Sequence, residues 1–176
     1  VTGVTTKDGN IPITAGPDLT IDDGALTTAA VGAVDAGTAN VSLTATAGAI
    51  IDGSSALASD GHIDVVGNQV TLTAATGIGS GAGNLGAVAG DEANDIDVEV
   101  DELTAHTATG DIFLDDLTGG LTIGTLGGQI GVRITSGGAG DDILIRERGT
   151  GAFTVNSAVI NSGAGNVTLA AFGTTG

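Results

Sequence analysis

Residues 37–45 read Gly-Thr-Ala-Asn-Val-Ser-Leu-Thr-Ala, and two later stretches closely repeat them. They are Gly-Asn-Gln-Val-Thr-Leu-Thr-Ala at 67–74 and Gly-Ala-Gly-Asn-Val-Thr-Leu-Ala-Ala at 163–171. In each stretch a turn containing Gly and Asn is followed by apolar residues that alternate with Ser, Thr or Ala. Such alternation predicts a short strand with one buried and one exposed face. The recurrence of one strand type favours a chain built from similar, stacked turns.

The same alternation recurs along most of the chain, and no segment shows an apolar face at helical spacing. Further predicted strands cover 49–52, 63–66, 96–100, 121–123, 130–134, 143–145 and 153–155. One leading strand per repeat begins near each of the following residues: Val41, Val70, Ile96, Leu121, Ile143 and Val167. The intervals between successive starts all lie in the twenties. A period of this length is typical of a solenoid, in which each repeat forms one coil.

The amino-acid composition decides between two all-β architectures. Gly, Ala and Thr make up 83 of the 176 residues, and Phe, with three copies, is the only aromatic residue. A parallel β-helix has a narrow interior that Val, Ile, Leu and Ala can fill. A β-sandwich, the alternative, needs no fixed repeat and usually has larger aromatics in its core. We therefore predict a single β-solenoid domain over residues 1–176, a parallel β-helix of about six to seven coils.

The charge balance excludes several partners. There are 21 acidic residues against four Lys and Arg, which gives a net charge of −17. Binding to nucleic acid or to an anionic lipid surface requires clustered basic residues, so neither is expected. No run of 18 apolar residues occurs, and membrane insertion as a helix is not expected either. An acidic surface and the absence of cysteine are compatible with an extracellular setting.

Several repeat units resemble those of filamentous-haemagglutinin-type bacterial adhesins. The similarity lies in TANVSLTATAGAI, NQVTLTAATGIG, TGDIFLDDLTGGLTIG and GAGNVTLAAFG, and it covers most of residues 37–172. The resemblance implies a right-handed parallel β-helix that forms the shaft of a very large surface or secreted protein. It also implies a structural, non-catalytic role at the bacterial cell surface, with a glycan or protein receptor on a host or other surface as a possible partner.

Both ends of the sequence have the character of a coil. The last residues, Val167–Gly176, and the first, Val1–Thr6, carry no amphipathic capping helix. We expect either a segment of a longer repetitive chain or a subunit that stacks end to end into a filament. The expected partners are then adjoining repeats or other copies of the chain.

Residues 137–145 contain a possible calcium motif. The sequence Gly-Gly-Ala-Gly-Asp-Asp-Ile-Leu-Ile matches the nonapeptide G-G-x-G-x-D-x-U-x, in which Asp and carbonyl oxygens bind Ca²⁺ between stacked turns. Such sites need tandem copies, and only one copy is present. We favour an acidic turn before a strand, with weak Ca²⁺ binding by Asp141 and Asp142 as the hypothesis to test. No other cofactor is expected.

The densest acidic stretch runs from Asp91 to Glu102. Within it Asp97, Glu99 and Asp101 alternate with apolar residues, so they are predicted to share one outward face of a strand. A row of like charges indicates either a ladder that binds cations or a solvated face that prevents sideways sheet pairing. We favour the solvated face.

A carbohydrate-active β-helix enzyme, such as a polysaccharide lyase or hydrolase, is the alternative function. The arginine cluster Arg146-Glu147-Arg148 is followed by Gly149, and we interpret it as a turn with local ion pairs. His62 and His106 are interpreted as surface turn residues. The chain has no Trp or Tyr to stack on a sugar. We therefore predict that the protein is not an enzyme and assign no catalytic residue.

Overall fold

The computed structural model describes residues 1, 3–22, 33–53, 63–79 and 95–172. Every regular element in these ranges is a β-strand, which confirms the all-β prediction. Among these residues no helix is long and apolar enough to cross a membrane.

Seventeen strands are defined in the described ranges, most of them short. In chain order they are β1 (Val4–Thr5), β2 (Ile11–Ala15), β3 (Leu19–Ile21), β4 (Val34–Asp35), β5 (Asn40–Ala45), β6 (Ile50–Asp52), β7 (Val65–Ala74), β8 (Ile96–Thr107), β9 (Ile112–Asp116), β10 (Thr122–Ile123), β11 (Thr125–Leu126), β12 (Gln129–Ile130), β13 (Val132–Ile134), β14 (Ile143–Glu147), β15 (Thr154–Val155), β16 (Val159–Asn161) and β17 (Val167–Ala171).

The strands stack in parallel, turn upon turn, as a β-solenoid. The main sheet has the order β1-β4-β7-β8-β9-β14-β17, and β2 and β5 stack onto β7 beside it. All pairs in this sheet are parallel, and the short hairpin β11–β12 is antiparallel. The β-sandwich alternative is therefore wrong, since sandwiches are built from antiparallel sheets.

One column of stacked residues shows how the turns follow one another. It contains Leu19, Ile50, Ile78, Ile112 and Ile143, each paired with the next. The chain thus makes about four turns before β17 stacks on β14 at the end. This is fewer than the six to seven coils predicted, because a turn takes more residues than the period read from the sequence.

The register between repeats confirms one prediction and corrects another. Val41 pairs with Val70, as the repeated sequence predicts. The next residue in that column is Leu103, whereas Ile96 pairs with Leu114 in a different column. The predicted period fails at Ile96 because the turn after Val70 is longer than the period. Gln69, beside Val70, bonds the side chain of Glu102, which is 33 residues further along the chain.

The predicted strand at 130–134 is interrupted in the middle. Gly131 has φ +69°, and a Cβ there would lie 1.9 Å from the carbonyl oxygen of Ala158. Only glycine fits this combination of backbone conformation and close approach. As a result Ile130 belongs to the β11–β12 hairpin, and the stacked strand β13 begins at Val132.

The interior is filled by Val, Ile, Leu and Ala from successive turns. Val41, Leu43 and Ala45 on β5 are each at most 1 % exposed, and the alternate residues of that strand face outward. Most of the buried apolar side chains in the described ranges form one cluster, which extends from Ile11 to Ile145. Burial of this surface is the main source of stability, at about 25 cal/mol per Å².

Candidate functional site

One core-facing column changes from valine to acidic residues. Val34, Val65 and Val98 stack on one another in successive turns, and the next two positions hold Asp116 and Glu147. All five side chains are fully buried. β9 and β14 place Asp116 and Glu147 side by side, and a carboxylate pair therefore occupies a position where earlier turns have valine.

The opposite face of the same strands carries a second acidic column. Asp64, Asp97, Asp115 and Arg146 occupy equivalent positions in consecutive turns, and each is less than 9 % exposed. The backbone N–H of Asp97 donates to Oδ2 of Asp64 over 3.0 Å. The prediction that Asp97 faces solvent is thus wrong, because this side of β8 is covered in the folded chain.

Arginine side chains partly neutralise this second column. Nη2 of Arg146 forms ion pairs with Oδ2 of Asp95 and, at 3.2 Å, with Oδ2 of Asp115. Arg148 Nε lies 2.5 Å from the same oxygen of Asp115. The interpretation of 146–148 as a turn with local pairs is wrong: Arg146 and Glu147 end a buried strand, and Arg146 pairs with Asp95, 51 residues away.

Carboxylate oxygens of Asp95, Asp97 and Asp115 lie within 4.8 Å of one another. Hard cations prefer such all-oxygen sets, so this cluster has the composition of a divalent-cation site. The Arg146 guanidinium already places positive charge beside two of the three carboxylates. An ion pair network explains this cluster without a metal.

The predicted ladder is therefore divided between two environments. Glu99 and Asp101 are exposed on β8, as predicted, whereas Asp97 is buried. Glu99 and Asp101 line a groove of about 420 Å³ together with Val100 and Gly119. The three residues do not form one exposed row, and cation binding by them stays a prediction.

Burial changes the protonation of Asp116. Desolvation raises the pKa of Asp116 to about 8, and the charges of Glu147, Asp115 and Glu99 add to the rise. The backbone of Val100 offsets part of this rise, although neither carboxylate oxygen of Asp116 has a hydrogen-bond partner among the described residues. Neither carboxylate oxygen of Glu147 has a hydrogen-bond partner among the residues that the structure describes. The pair therefore combines full burial with incomplete hydrogen bonding.

The Asp141 carboxylate accepts hydrogen bonds from the backbone. Its Oδ2 accepts the N–H of Gly138 over 2.8 Å and, from the preceding turn, the N–H of Gly110 over 2.9 Å. These two bonds lower the pKa of Asp141. The contacts describe a carboxylate that closes its own turn and joins two turns, which agrees with the acidic-turn interpretation.

Asp142 belongs to a series of side chains that link one turn to the next. Its N–H donates to Oδ1 of Asp111 over 2.7 Å, and its own Oδ1 accepts the N–H of Asn166 over 2.5 Å. Asp18 makes the same contact with the N–H of Ala49 over 2.9 Å. Ca²⁺ binding at Asp141 and Asp142 stays a prediction, and their contacts show a structural use for both carboxylates.

The remaining candidates are the two histidines and the first acidic residues of the stretch 91–102, and the structure describes one of them. His106 lies in β8 rather than in a turn, with Nε2 3.2 Å from the carbonyl oxygen of Ile130. His62, Asp91 and Glu92 lie outside the described residues.

The pair Asp116–Glu147 was missed by sequence reasoning, although a signal for it exists. Residues 112–116 read Ile-Phe-Leu-Asp-Asp and residues 143–147 read Ile-Leu-Ile-Arg-Glu. In both, the alternation that buries the first and third residues also places the fifth on the apolar face. Aligning the two strands would have placed the two acids next to each other.

Comparison of this chain with protein families, with curated proteins and with solved structures gives no match. The chemistry of its own residues must therefore support any functional assignment.

Proposed function

We propose that this chain is a structural, non-catalytic rod segment of an extracellular bacterial adhesin or fibre, wound as a right-handed β-helix. Its solenoid would continue end to end with adjoining repeats or with other copies of the chain. The observation that supports this proposal most strongly is the uncovered apolar end formed by the last described turn.

Core-facing residues of the last turn are exposed, although the residues beneath them are not. Leu169 is 40 % exposed and stacks on Ile145, which is fully buried. Val167 is 44 % exposed and stacks on Ile143, which is also fully buried. Phe172, just beyond, is 49 % exposed. These side chains continue the core columns and would be covered by one more turn of the same kind.

The strand edges at this end support the same conclusion. Within the described ranges, β15, β16 and β17 each pair with a strand on one side only, and so do β1, β2 and β3 at the opposite end. An open row of backbone N–H and C=O groups is a template for a further strand. Two different open ends favour head-to-tail contacts, which do not close and so extend a rod.

This geometry supports a mechanical role. Stacked turns joined by backbone hydrogen bonds give a stiff rod that holds a binding region away from the cell surface. A glycan or protein receptor would then be bound elsewhere along the fibre. The net charge of −17 would keep neighbouring rods apart through mutual repulsion.

The alternative, a carbohydrate-active enzyme, would need two carboxylates that a sugar can reach. Asp116 and Glu147 are fully buried, and Asp115 is bound by Arg146 and Arg148. These three carboxylates are therefore out of reach of a sugar.

Analytical ultracentrifugation of three chains tests the proposal. The wild-type chain should associate as its concentration rises, and Leu169→Lys should shift this association to at least tenfold higher concentration. Ile130→Lys is the matched control, because Ile130 is 52 % exposed but lies on the β11–β12 hairpin away from the open end. A wild-type chain that remains strictly monomeric at millimolar concentration would contradict the proposal, as would equal effects of both substitutions.

A further inference from the structure

We propose that the carboxyl groups of Asp116 and Glu147 hold one proton between them and form a pH-sensitive switch for the last described turn. While the pair holds this proton, strand β17 stays docked on β14. When the proton is lost, two negative charges are left in the interior, and β17 is released. The switch operates within a single chain and does not depend on the proposed role as a rod.

The register of the strands places the two carboxyl groups next to each other. Asp116 and Glu147 are paired residues of the adjacent parallel strands β9 and β14, and both side chains are fully buried on the interior face. Val98 stacks beneath Asp116, and Ala171 of β17 stacks on Glu147. Adjacent strands lie about 4.8 Å apart, which lets a protonated carboxyl of one residue donate a hydrogen bond to the carboxylate of the other.

The pair has no other hydrogen-bond partner in the described part of the chain. All four carboxyl oxygens of Asp116 and Glu147 are buried and unpartnered there. Two ionised carboxylates in this position would be strongly unfavourable, because neither water nor a donor compensates their charge. A single proton halves the buried charge and also supplies an O–H donor to the remaining carboxylate. The protonated pair is therefore the form that suits the docked turn.

The charged neighbours of the pair lie on the other face of their strands. Strand β17 has no ionisable side chain. Alternation directs to the opposite face the charged residues next in sequence to the pair and to Val98, which are Asp97, Glu99, Asp115, Arg146 and Arg148. Arg146 and Arg148 are bound to Asp115 on that face. Burial and then the charge of Glu147 raise the pKa of Asp116 to about 8, which agrees with a proton held at neutral pH.

Strand β17 is the element whose release relieves the buried charges at the lowest cost. Among the described strands it pairs with β14 alone, and its Ala171 lies directly over Glu147. Its core-facing residues Val167 and Leu169 are 44 % and 40 % exposed, so little buried apolar surface is lost when it leaves. The N–H of Phe172 donates to the carbonyl oxygen of Glu147 over 2.8 Å, and this bond reports directly on docking.

The direction of the pH dependence follows from proton binding. The docked turn binds the proton more tightly than the opened turn, in which Glu147 reaches water. Between pH 4, near the ordinary pKa of a carboxyl group, and about pH 8, the docked form keeps a proton that the opened form has lost. The equilibrium constant for opening therefore rises by up to about tenfold per pH unit in this window and is constant above it.

Release of β17 also affects the open end of the solenoid. Val167 and Leu169 belong to the apolar surface of that end, so axial association should weaken as the pH rises. This consequence rests on the proposed function. The switch itself is measured on a dilute, unassociated chain, and its failure can be distinguished from failure of the rod proposal.

Hydrogen exchange of single amides, followed by NMR between pH 5.5 and pH 8.5, tests the switch. The protection factor of the Phe172 N–H should fall at least about tenfold between pH 5.5 and pH 8 and then level off. The N–H of Ser162 is the internal control, because it bonds the carbonyl oxygen of Ile134 over 3.0 Å at the same open end. Strand β16 stacks on no acidic residue, and protection at Ser162 should change less than threefold.

Two variants and one further measurement separate the pair from its surroundings. The double variant Asp116→Asn/Glu147→Gln keeps the size and hydrogen bonding of both side chains, and Phe172 protection should then vary less than threefold. Asp101→Asn, at an exposed position on β8, should keep the wild-type fall. Carbon-13 shifts of the wild-type carboxyl groups should show one proton on the pair at pH 6.5, a test that does not require the double variant to fold. Two ionised carboxylates at that pH, an equal fall at Ser162, or an unchanged fall in the folded double variant would overturn the proposal.

Discussion

Replacing Asp116 by Asn should change how the stability of the protein depends on pH. In the folded chain burial raises the pKa of this carboxyl to about 8, whereas its ordinary value is 3.8. Between these values the unfolded chain has released the proton and the folded chain still holds it. The free energy of unfolding therefore decreases as the pH rises from about 4 to about 8, and the contribution of Asp116 is constant outside that window.

The magnitude follows from the size of the shift. One pKa unit corresponds to about 1.4 kcal/mol, and the slope for one group is therefore at most about 1.4 kcal/mol per pH unit. Over the whole window the upper limit is about 6 kcal/mol. A loss of even half this amount is a large part of the roughly 5–15 kcal/mol that stabilises an ordinary domain.

Urea denaturation at a series of pH values between 4 and 9, in EDTA, measures this effect. The wild type should lose stability across the series, and Asp116→Asn should lose several kcal/mol less. Asp101→Asn makes the same substitution at an exposed position on β8 and controls for the loss of one carboxylate from an acidic chain. If the wild type and Asp116→Asn show parallel stability curves from pH 4 to pH 8, the assignment of a buried, protonated Asp116 is refuted.

Three further predictions concern the other contacts of the solenoid. Arg146→Met should lower the free energy of unfolding by about 3–5 kcal/mol, because the buried carboxylates lose the positive charge that pairs with them. A loss no larger than that of Arg133→Met in the same urea titration would contradict this. Gly110→Ala should lower the free energy of unfolding by at least about 2 kcal/mol more than Gly127→Ala. Both glycines have positive φ, but only at Gly110 would the new Cβ meet a backbone atom, at 1.8 Å. Equal melting temperatures of the two variants would argue against this close approach. Asp141→Ala removes the acceptor of two backbone N–H groups. Because the pKa of Asp141 is lowered in the folded chain, the stability that its carboxylate adds should be present at neutral pH and disappear as the pH falls below about 4. An Asp141→Ala chain as stable as the wild type at pH 7 would contradict this.

Where stacked repeats share nearly the same residues, the sequence was sufficient to predict the fold. The pairing of Val41 with Val70 follows from two almost identical strands. The pairing of Ile143 with Val167 follows from their prediction as the leading strands of successive repeats. The column that contains Ile96 could not be assigned in this way. The turns differ in length, and a period averaged over unequal turns identifies the solenoid without giving its register.

The buried acidic residues were harder to predict, because their environment comes from distant turns. Alternation along β8 places the side chains of Ile96 and Asp97 on opposite faces of the strand, but it does not show that the face with Asp97 is covered. That depends on the stacking of Asp97 on Asp115 and on the ion pairs of Arg146. Likewise, Glu147 lies next to a carboxylate only because β9 and β14, which are far apart in sequence, are in register.

The proposed axial continuation of the solenoid can be tested most directly by electron cryomicroscopy of the concentrated wild-type chain. We expect rods in which the strand spacing of about 4.8 Å continues along the axis through each junction between copies. At each junction Leu169 should be covered by the first turn of the next copy. Discrete particles the length of one chain at every concentration, or copies joined side by side through their lateral faces, would contradict it.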